Sequence, residues 1–332
     1  MSELIKLEVG ILDGVSKPTI DKFVGAGITT IQALSMQTPK DIAEKAGMGT
    51  DTAEKAINKA VAFISNGYIT ATQLQDQRKN RTHLHTGSKA LDELLGGGIE
   101  SETTLEIAGS MASGKTQIAH TLAVLAQQPI EQGGLNGEVA FIDSENTFVP
   151  KRIIEICEAR GIDPVATLNR IYHGASMNVN HQQLLIEQLY DLCPTHNIKL
   201  VIVDSIIGHL RSEYIGRGTL SDRQGLLNKM LHTLSKIALS TKVTVVYTNQ
   251  VLSDPAIQYG NPEKPTGGNV IGHSASNRLH LRKGRQNIRI ANLIDSLSLP
   301  PGEAPFMITE MGIQDLPSHE KEEEKQTESE NA

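Results

Sequence analysis

The segment Thr103–Gln117, TTLEIAGSMASGKTQ, limits the possible folds more than any other part of the chain. Thr103–Ala108 reads as a strand carrying Leu105 and Ile107. A loop bounded by Gly109 and Gly114 follows, then Lys115, Thr116 and an apolar helix (Ile118, Ala119, Leu122, Ala123, Leu125). This is G-x-x-x-x-G-K-T with a strand before it and a helix after it, the setting in which such a loop cradles phosphate. Glycine lets main-chain N–H groups turn inward around phosphate oxygens. The helix N-terminus adds partial positive charge. Lys115 has the reach for β- and γ-phosphates, and Thr116 offers a hydroxyl to Mg2+. The nucleotide-binding residues predicted here are Gly109, Ser110, Met111, Ala112, Ser113, Gly114, Lys115, Thr116 and Gln117. An ordinary Gly-rich turn is the bland alternative, and the two correct flanks disfavour it.

At 332 residues the chain has room for about two domains and a large core. Its 39% hydrophobic and 21% charged residues suit a soluble globular protein. The opening MSELIKLEVG lacks the basic-then-apolar pattern of a secretory leader. No apolar run approaches the roughly 18 residues that a membrane span needs. Cys157 and Cys193 sit in helical-looking stretches and are expected to be buried thiols in a reducing compartment. The expectation is an intracellular, cytoplasmic protein with no membrane partner. A formal charge of −7 argues against nucleic acid at first sight, but the Pro317–Ala332 segment holds six Glu and two Lys, leaving −3 for the rest. Local clusters, rather than net charge, decide the question.

The chain divides into residues 1–64, a small helical unit; 65–80, a polar linker; 81–316, the main domain; and 317–332, a disordered acidic tail. In the first unit, Gly-containing turns at Leu12–Pro18 and Ala46–Thr50 each precede an amphipathic stretch. They look like a helix-hairpin-helix pair facing DNA phosphates, with Ser16 where the first hairpin usually has a second glycine. A helical interaction unit that never touches DNA is the other reading. In the linker, Tyr68 with Ala71 three residues on either docks as an added strand on a neighbouring subunit or packs on its own domain. The stretch Thr72–Asn80 reads as polar linker.

From Thr86 onward strands and helices alternate. Strands are expected at Glu138–Asp143, Ile171–His173, Lys199–Asp204 and Val243–Thr248, and helices at Ala90–Leu95, Pro150–Arg160, His181–Leu192 and Thr219–Ser240. Alternation of this kind predicts an α/β domain around a mainly parallel sheet. Arg278–Arg282 and Asn287–Ile294 read as a hairpin, with a last strand near Phe306–Thr309. Ligands of such sheets lie at the carboxyl ends of strands. There Asp204 is the acidic Mg2+ partner for Thr116, and Glu145 is placed to orient and deprotonate water. Asp143 supports the site, and Gln250 can touch a γ-phosphate. Two loops leave the same edge. His209–Gln224 carries Arg211, Arg217 and Arg223 with Tyr214, suited to phosphate contact and base stacking. Val251–Gly272 has no evident structure, and long loops of that kind are usually functional or disordered.

The segments TGSKALDELLGGGIE, GSMASGKTQ, FIDSENTFVPKRI, IKLVIVDS, EYIGRGTLSDRQ, TNQV, GGNVIGHSASNRLHLRKG and IDSLSLPPGEA form an ordered set. The set resembles the RecA/RadA family of recombinases, closest to the archaeal RadA branch and its eukaryotic strand-exchange counterparts. The resemblance implies a RecA-like P-loop NTPase core whose parallel sheet ends in antiparallel strands, preceded by a helix-hairpin-helix domain. It implies a DNA-dependent ATPase that forms helical filaments on single-stranded DNA and exchanges strands with double-stranded DNA. Its cofactors would be ATP and Mg2+, with a monovalent cation such as K+ as a further candidate. Partners would be DNA, further copies of itself and recombination mediators, in a nucleoid-associated setting. Glu145 looks like the catalytic glutamate, Asp204 the second acidic motif, and Arg152 the arginine that stacks on adenine. Gln250 and His273 look like the relay from γ-phosphate to the second DNA loop. Tyr68 and Ala71 match the polymerisation motif, and Asp295 and Pro300 the cap that reaches a neighbour's ATP.

The chain departs from that pattern at Ser110, Met111 and Ala112 in the phosphate loop, at Asn146 (usually glycine), Val149 (usually arginine) and Leu297 (usually proline). None removes a phosphate, magnesium or water ligand. Two rivals stand beside this reading: a recombinase paralogue acting as a mediator with weak ATPase and no strand exchange, and a RecA-fold enzyme of the ring helicase or signalling-kinase type.

Overall fold

The computed structural model describes residues 9–64, 67–253, 263–266 and 274–317. The expected relay residue His273, the acidic tail from residue 318, most of the second loop and the side chain of Arg217 lie outside the described residues.

The N-terminal unit contains the helices α1 (Lys17–Gly25), α2 (Ile31–Ser35), α3 (Pro39–Lys45) and α4 (Thr50–Ile64). Thr30 and Thr38 cap α2 and α3 by accepting the N–H groups of Ala33 and Asp41. Helix α4 turns Ala53, Ala56, Ile57 and Ala60 inward, and these small side chains let it approach Phe23, Ile31, Leu34 and Ile42. The two glycine turns take positive φ at Gly14 (+70°) and Gly47 (+57°). Their carbonyls are held by lysines: Lys59 Nζ donates to Asp13 O and Gly14 O, and Lys22 Nζ donates to Gly47 O.

The polar stretch expected to be linker is instead the helix α5 (Ala71–Arg78). Thr70 caps it, and Gln73 reaches back to the Thr70 N–H in a capping box. No residue of α5 is buried, so caps and local propensity hold it rather than an apolar stripe. Next come β1 (His83–Leu84), α6 (Lys89–Leu94) and β2 (Ile99–Glu100), the two strands pairing antiparallel.

The main domain runs β3 (Thr104–Gly109), α7 (Lys115–Leu125), β4 (Glu138–Asp143), α8 (Pro150–Arg160), α9 (Pro164–Leu168) and β5 (Ile171–Ala175). It continues through α10 (Val179–Thr195), β6 (Ile198–Asp204), α11 (Gly208–Glu213), α12 (Leu220–Ser240) and β7 (Thr244–Ser253). The strands β8 (Glu263–Pro265), β9 (Asn277–Lys283), β10 (Ile288–Ser296), β11 (Gly302–Thr309) and β12 (Gly312–Gln314) complete it. Sheet order is β12-β11-β10-β9-β3-β7-β6-β4-β5, parallel from β9 to β5 and antiparallel from β9 to β12. The expected hairpin is β9–β10. The stretch from Val251 that read as structureless begins inside β7, and β8 pairs back on it antiparallel, Val251 opposite Pro265.

Strand β6 shows why its run of apolar residues was needed. Leu200 and Ile202 join the cluster under α7 and α8, while Val201 and Val203 join the cluster under α10 and α12. Each such side chain removed from water contributes about 1.5–3 kcal/mol. Helix α12 buries Leu227, Met230, Leu231, Leu234 and Ile237 at helical spacing. The same α10 also receives the N-terminal unit: Thr29 Oγ1 donates to Asp191 Oδ1 at 2.9 Å, and Lys45 pairs with Glu187 at 2.6 Å. Cys157 and Cys193 are free thiols and buried.

Candidate nucleotide site and adjoining loops

The loop after β3 explains its two glycines. A Cβ on Gly109 would lie 2.5 Å from Ser113 Oγ and 2.8 Å from Leu281 O. Gly114 has φ +106° and would press a Cβ to 3.1 Å from Ile308. Ala112 takes φ +59° between them, an uncommon left-handed conformation for a residue with a side chain. Gly114 caps α7 without a side-chain acceptor, so the first N–H groups of an 11-residue helix face the loop. Lys115 Nζ bridges the mouth, donating to Gly109 O at 2.8 Å and Ser110 O at 3.0 Å. The Ser113 hydroxyl is buried with no hydrogen-bond partner among the described residues.

Thr116 Oγ1 donates to Asp204 Oδ2 at 2.7 Å. Asp204 is buried and also accepts the hydroxyls of Thr147 (3.1 Å) and Thr248. Sequence reasoning missed Thr147 and Thr248, although Thr248 ends a predicted strand at the same edge. A hydroxyl beside a carboxylate is the oxygen donor set of a hard divalent cation. Among the described residues no group of three or more His, Cys, Asp or Glu side chains gathers. Mg2+ takes one or two protein ligands and relies on phosphate and water for the rest. The loop and this pair therefore fit a nucleoside triphosphate with Mg2+.

Glu145 follows β4 on a turn shaped by Asp143. The buried Asp143 carboxylate accepts the N–H groups of Glu145 (3.2 Å), Thr147 (3.1 Å) and Phe148 (3.0 Å), and contacts His173 Nε2 at 3.4 Å. Burial pushes this carboxyl up, and the bonds from Phe148, Thr147, His173 and Glu145 outweigh it, holding the group below its ordinary range. Asn146 sits in that turn at φ +55°, where asparagine serves in place of glycine. Glu145 Oε1 accepts Ser205 Oγ at 2.5 Å and Gln250 Nε2 at 2.9 Å. Gln250 Oε1 in turn accepts Arg211 Nη1. One continuous chain thus joins Glu145, Gln250 within β7, and Arg211 on α11.

Behind the turn, burial pushes the His120 imidazole down to about 4, so it is neutral. Its Nε2 accepts the Val149 N–H at 3.4 Å. Arg152 is fixed by Gln117 Oε1 (2.9 Å), Thr309 O (2.5 Å) and Glu310 O (3.3 Å), tying α7 and α8 to the β11–β12 turn.

Other predicted residues stand apart. Asp295 lies opposite Arg278, which lies opposite Glu106 near the start of β3, whereas the phosphate loop leaves the far end of β3. Asp295, Leu297 and Pro300 are exposed there and do not join this chain's own loop. Tyr68 is fully exposed on an extended segment, and Ala71 begins α5, also exposed. Tyr214 is half-buried against the apolar cluster under α12, so its ring is not free on the loop surface. Arg223 is half-buried in the first turn of α12, and Arg217 opens a short 3-10 turn before it.

A strand-loop-helix that fits ATP, an acidic strand end beside it and arginines on the adjoining loop recur as a set in one group of enzymes. The Rad51 family model matches residues 77–316, more than half of the 332-residue chain. The chain belongs to the Rad51 family of RecA-like DNA recombination and repair ATPases.

Proposed function

We propose that this chain is a strand-exchange recombinase of the archaeal RadA type, a DNA-dependent ATPase that polymerises on single-stranded DNA and pairs it with homologous duplex. The observation that carries the proposal is the Glu145–Gln250–Arg211 chain, because it couples a hydrolytic carboxylate to a DNA-facing loop through two hydrogen bonds.

Bound at the loop, Mg2+–ATP would supply a polarised γ-phosphate open to attack by water. Lys115 and the first amides of α7 would hold its phosphate charge, and Thr116 with Asp204 would hold the cation. Glu145 orients the attacking water and takes its proton at a carboxylate oxygen. Gln250 moves with Glu145 and draws Arg211 with it, while Arg217 and Arg223 add phosphate contacts. His273 extends the relay toward the second loop.

Assembly follows from what one molecule leaves unused. Asp295 and Pro300, toward the opposite ends of the strands from the phosphate loop, serve the nucleotide of the next copy. Tyr68 and Ala71 dock as an added strand along β5, the free edge of the next copy's sheet. A cavity of about 400 Å³ opens beside β5 and can take the Tyr68 ring. In this reading residues 1–64 are a DNA-directed helical unit, 65–80 the joint between copies, 81–316 the ATPase core and 317–332 an acidic tail, and the protein works in the cytoplasm on nucleoid DNA.

The test is ATP turnover with and without single-stranded DNA, with negative-stain images of the same mixtures. Turnover stimulated by DNA, helical filaments on DNA, and loss of turnover in Lys115→Ala are expected. Turnover indifferent to DNA refutes the proposal. Strand exchange by the purified chain alone separates it from a mediator, and closed rings alone would favour a helicase-like enzyme.

A further inference from the structure

His173 touches both the Glu145 turn and the β5 cavity, and unlike Phe141, which also spans the two, it carries a polar nitrogen. Its Nε2 contacts Asp143 Oδ2 at 3.4 Å, the oxygen that also accepts the Phe148 N–H. Its ring stacks on Phe148, with centroids 4.9 Å apart and planes at 28°. The turn from residue 144 to 148 is thus held at its head through Asp143 and at its tail through Phe148. The same imidazole lines the cavity with Phe141, Leu185 and Leu189. Just past β5, Ser176 Oγ meets His209 Nε2 at 3.0 Å, at the start of the helix that carries Arg211. A segment added along β5 therefore presses on the root of both catalytic elements.

We propose that His173 is a positioning residue for ATP hydrolysis, transmitting occupation of the β5 cavity by the Tyr68 segment of another copy to the Glu145 turn. The proposal rests on the reading of Glu145 as the hydrolytic carboxylate and of β5 as the docking edge. The imidazole stands with its donor on Asp143 and its face on Phe148, and an occupant of the cavity closes off rotation away from that pose. Without an occupant the ring can rotate toward the cavity, and the turn loses a fixed wall. Hydrolysis is then fast only in a molecule that has a neighbour.

The test compares wild type with His173→Phe, which keeps a ring against Phe148 but has no donor for Asp143, and His173→Gln, which keeps an N–H donor. Each is assayed at concentrations where all of the protein sediments with single-stranded DNA, so assembly is held constant. His173→Phe is expected to lower kcat for ATP about tenfold with KM within about twofold, the signature of a slightly misplaced reacting group. His173→Gln is expected to recover most of the loss. Wild-type kcat in His173→Phe, or no recovery in His173→Gln, overturns the proposal. If His173→Phe melts early, His173→Leu takes its place as the variant without a donor. If wild type itself fails to sediment with DNA, the filament reading falls, and DNA-free kcat of the same proteins decides the role of His173 by the same criterion.

Discussion

Replacing Arg278 with methionine isolates a buried charge. Glu106 on β3 has no exposed surface; its Oε2 lies 2.6 Å from Arg278 Nε, and its Oε1 accepts Asn249 Nδ2 at 2.8 Å. Removing one partner of such a pair costs about 3–5 kcal/mol, because the other charge stays buried. Asn249 remains as a donor, which places the loss near the lower end, about 3 kcal/mol. At roughly 2–4 °C per kcal/mol for a large domain, the melting midpoint falls by about 6–12 °C. The pH dependence gives the sharper check. Burial pushes the Glu106 carboxyl above its ordinary value of 4.5, and Arg278 and Asn249 recover only part of that shift. The folded chain therefore binds more protons than the unfolded one between those two values, and stability declines as pH rises through the folded value. Loss of Arg278 raises the folded value further, so the deficit is largest near about pH 8 and shrinks toward about pH 5. Melting of wild type, Arg278→Met, Glu106→Gln and the double variant at both pH values measures this. The double variant should regain most of the loss, since no buried charge is left. Equal deficits at both pH values, or a double variant as unstable as Arg278→Met, would refute the reasoning.

Tyr68→Ala removes a fully exposed ring that contributes nothing to its own fold, so melting should stay within about 0.5 kcal/mol of wild type while filaments on DNA disappear in electron micrographs; persistent filaments would show that the linker does not join copies. Asn146→Val forces a β-branched residue into the left-handed region at a cost of about 1–2 kcal/mol and should cut ATP turnover with nucleotide binding retained, whereas Asn146→Gly should turn over like wild type. Turnover and filter-binding assays on the two variants check this.

Much of the core was legible because its signals are local. The strand Glu138–Asp143 and the helix Pro150–Arg160 have the bounds expected from their residues. The continuous apolar run at β6 could only be satisfied between two layers of helices. Elements without an apolar signature escaped. Helix α5 is held by a capping box and exposes every side chain, so its composition read as linker. The strands β8 and β12, three residues each, exist only through their partners. At the site, Lys115, Thr116, Asp204 and Glu145 were visible as motif and strand-end positions. The hydroxyls of Thr147, Thr248 and Ser205 that surround the acidic pair come from the loop after β4, from within β7 and from the residue after β6, and no spacing in the chain encodes that meeting. His173 was invisible for the same reason, lying on an edge strand 30 residues from the carboxylate that it touches.

The turn that presents Glu145 is moulded by amides from the main chain, gathered on a single carboxylate. The bonds of such a mould come from the main chain, so they place no demand on the side chains at 146 and 149, while Thr147 and Phe148 have side-chain partners of their own. Substitutions at positions 146 and 149 can therefore accumulate, provided each accepts the backbone shape, without shifting the acid at its head. Lineages can in this way retune the surface beside the phosphate loop by drift while the shape of the turn is kept, whereas a change at Asp143 undoes all three bonds at once.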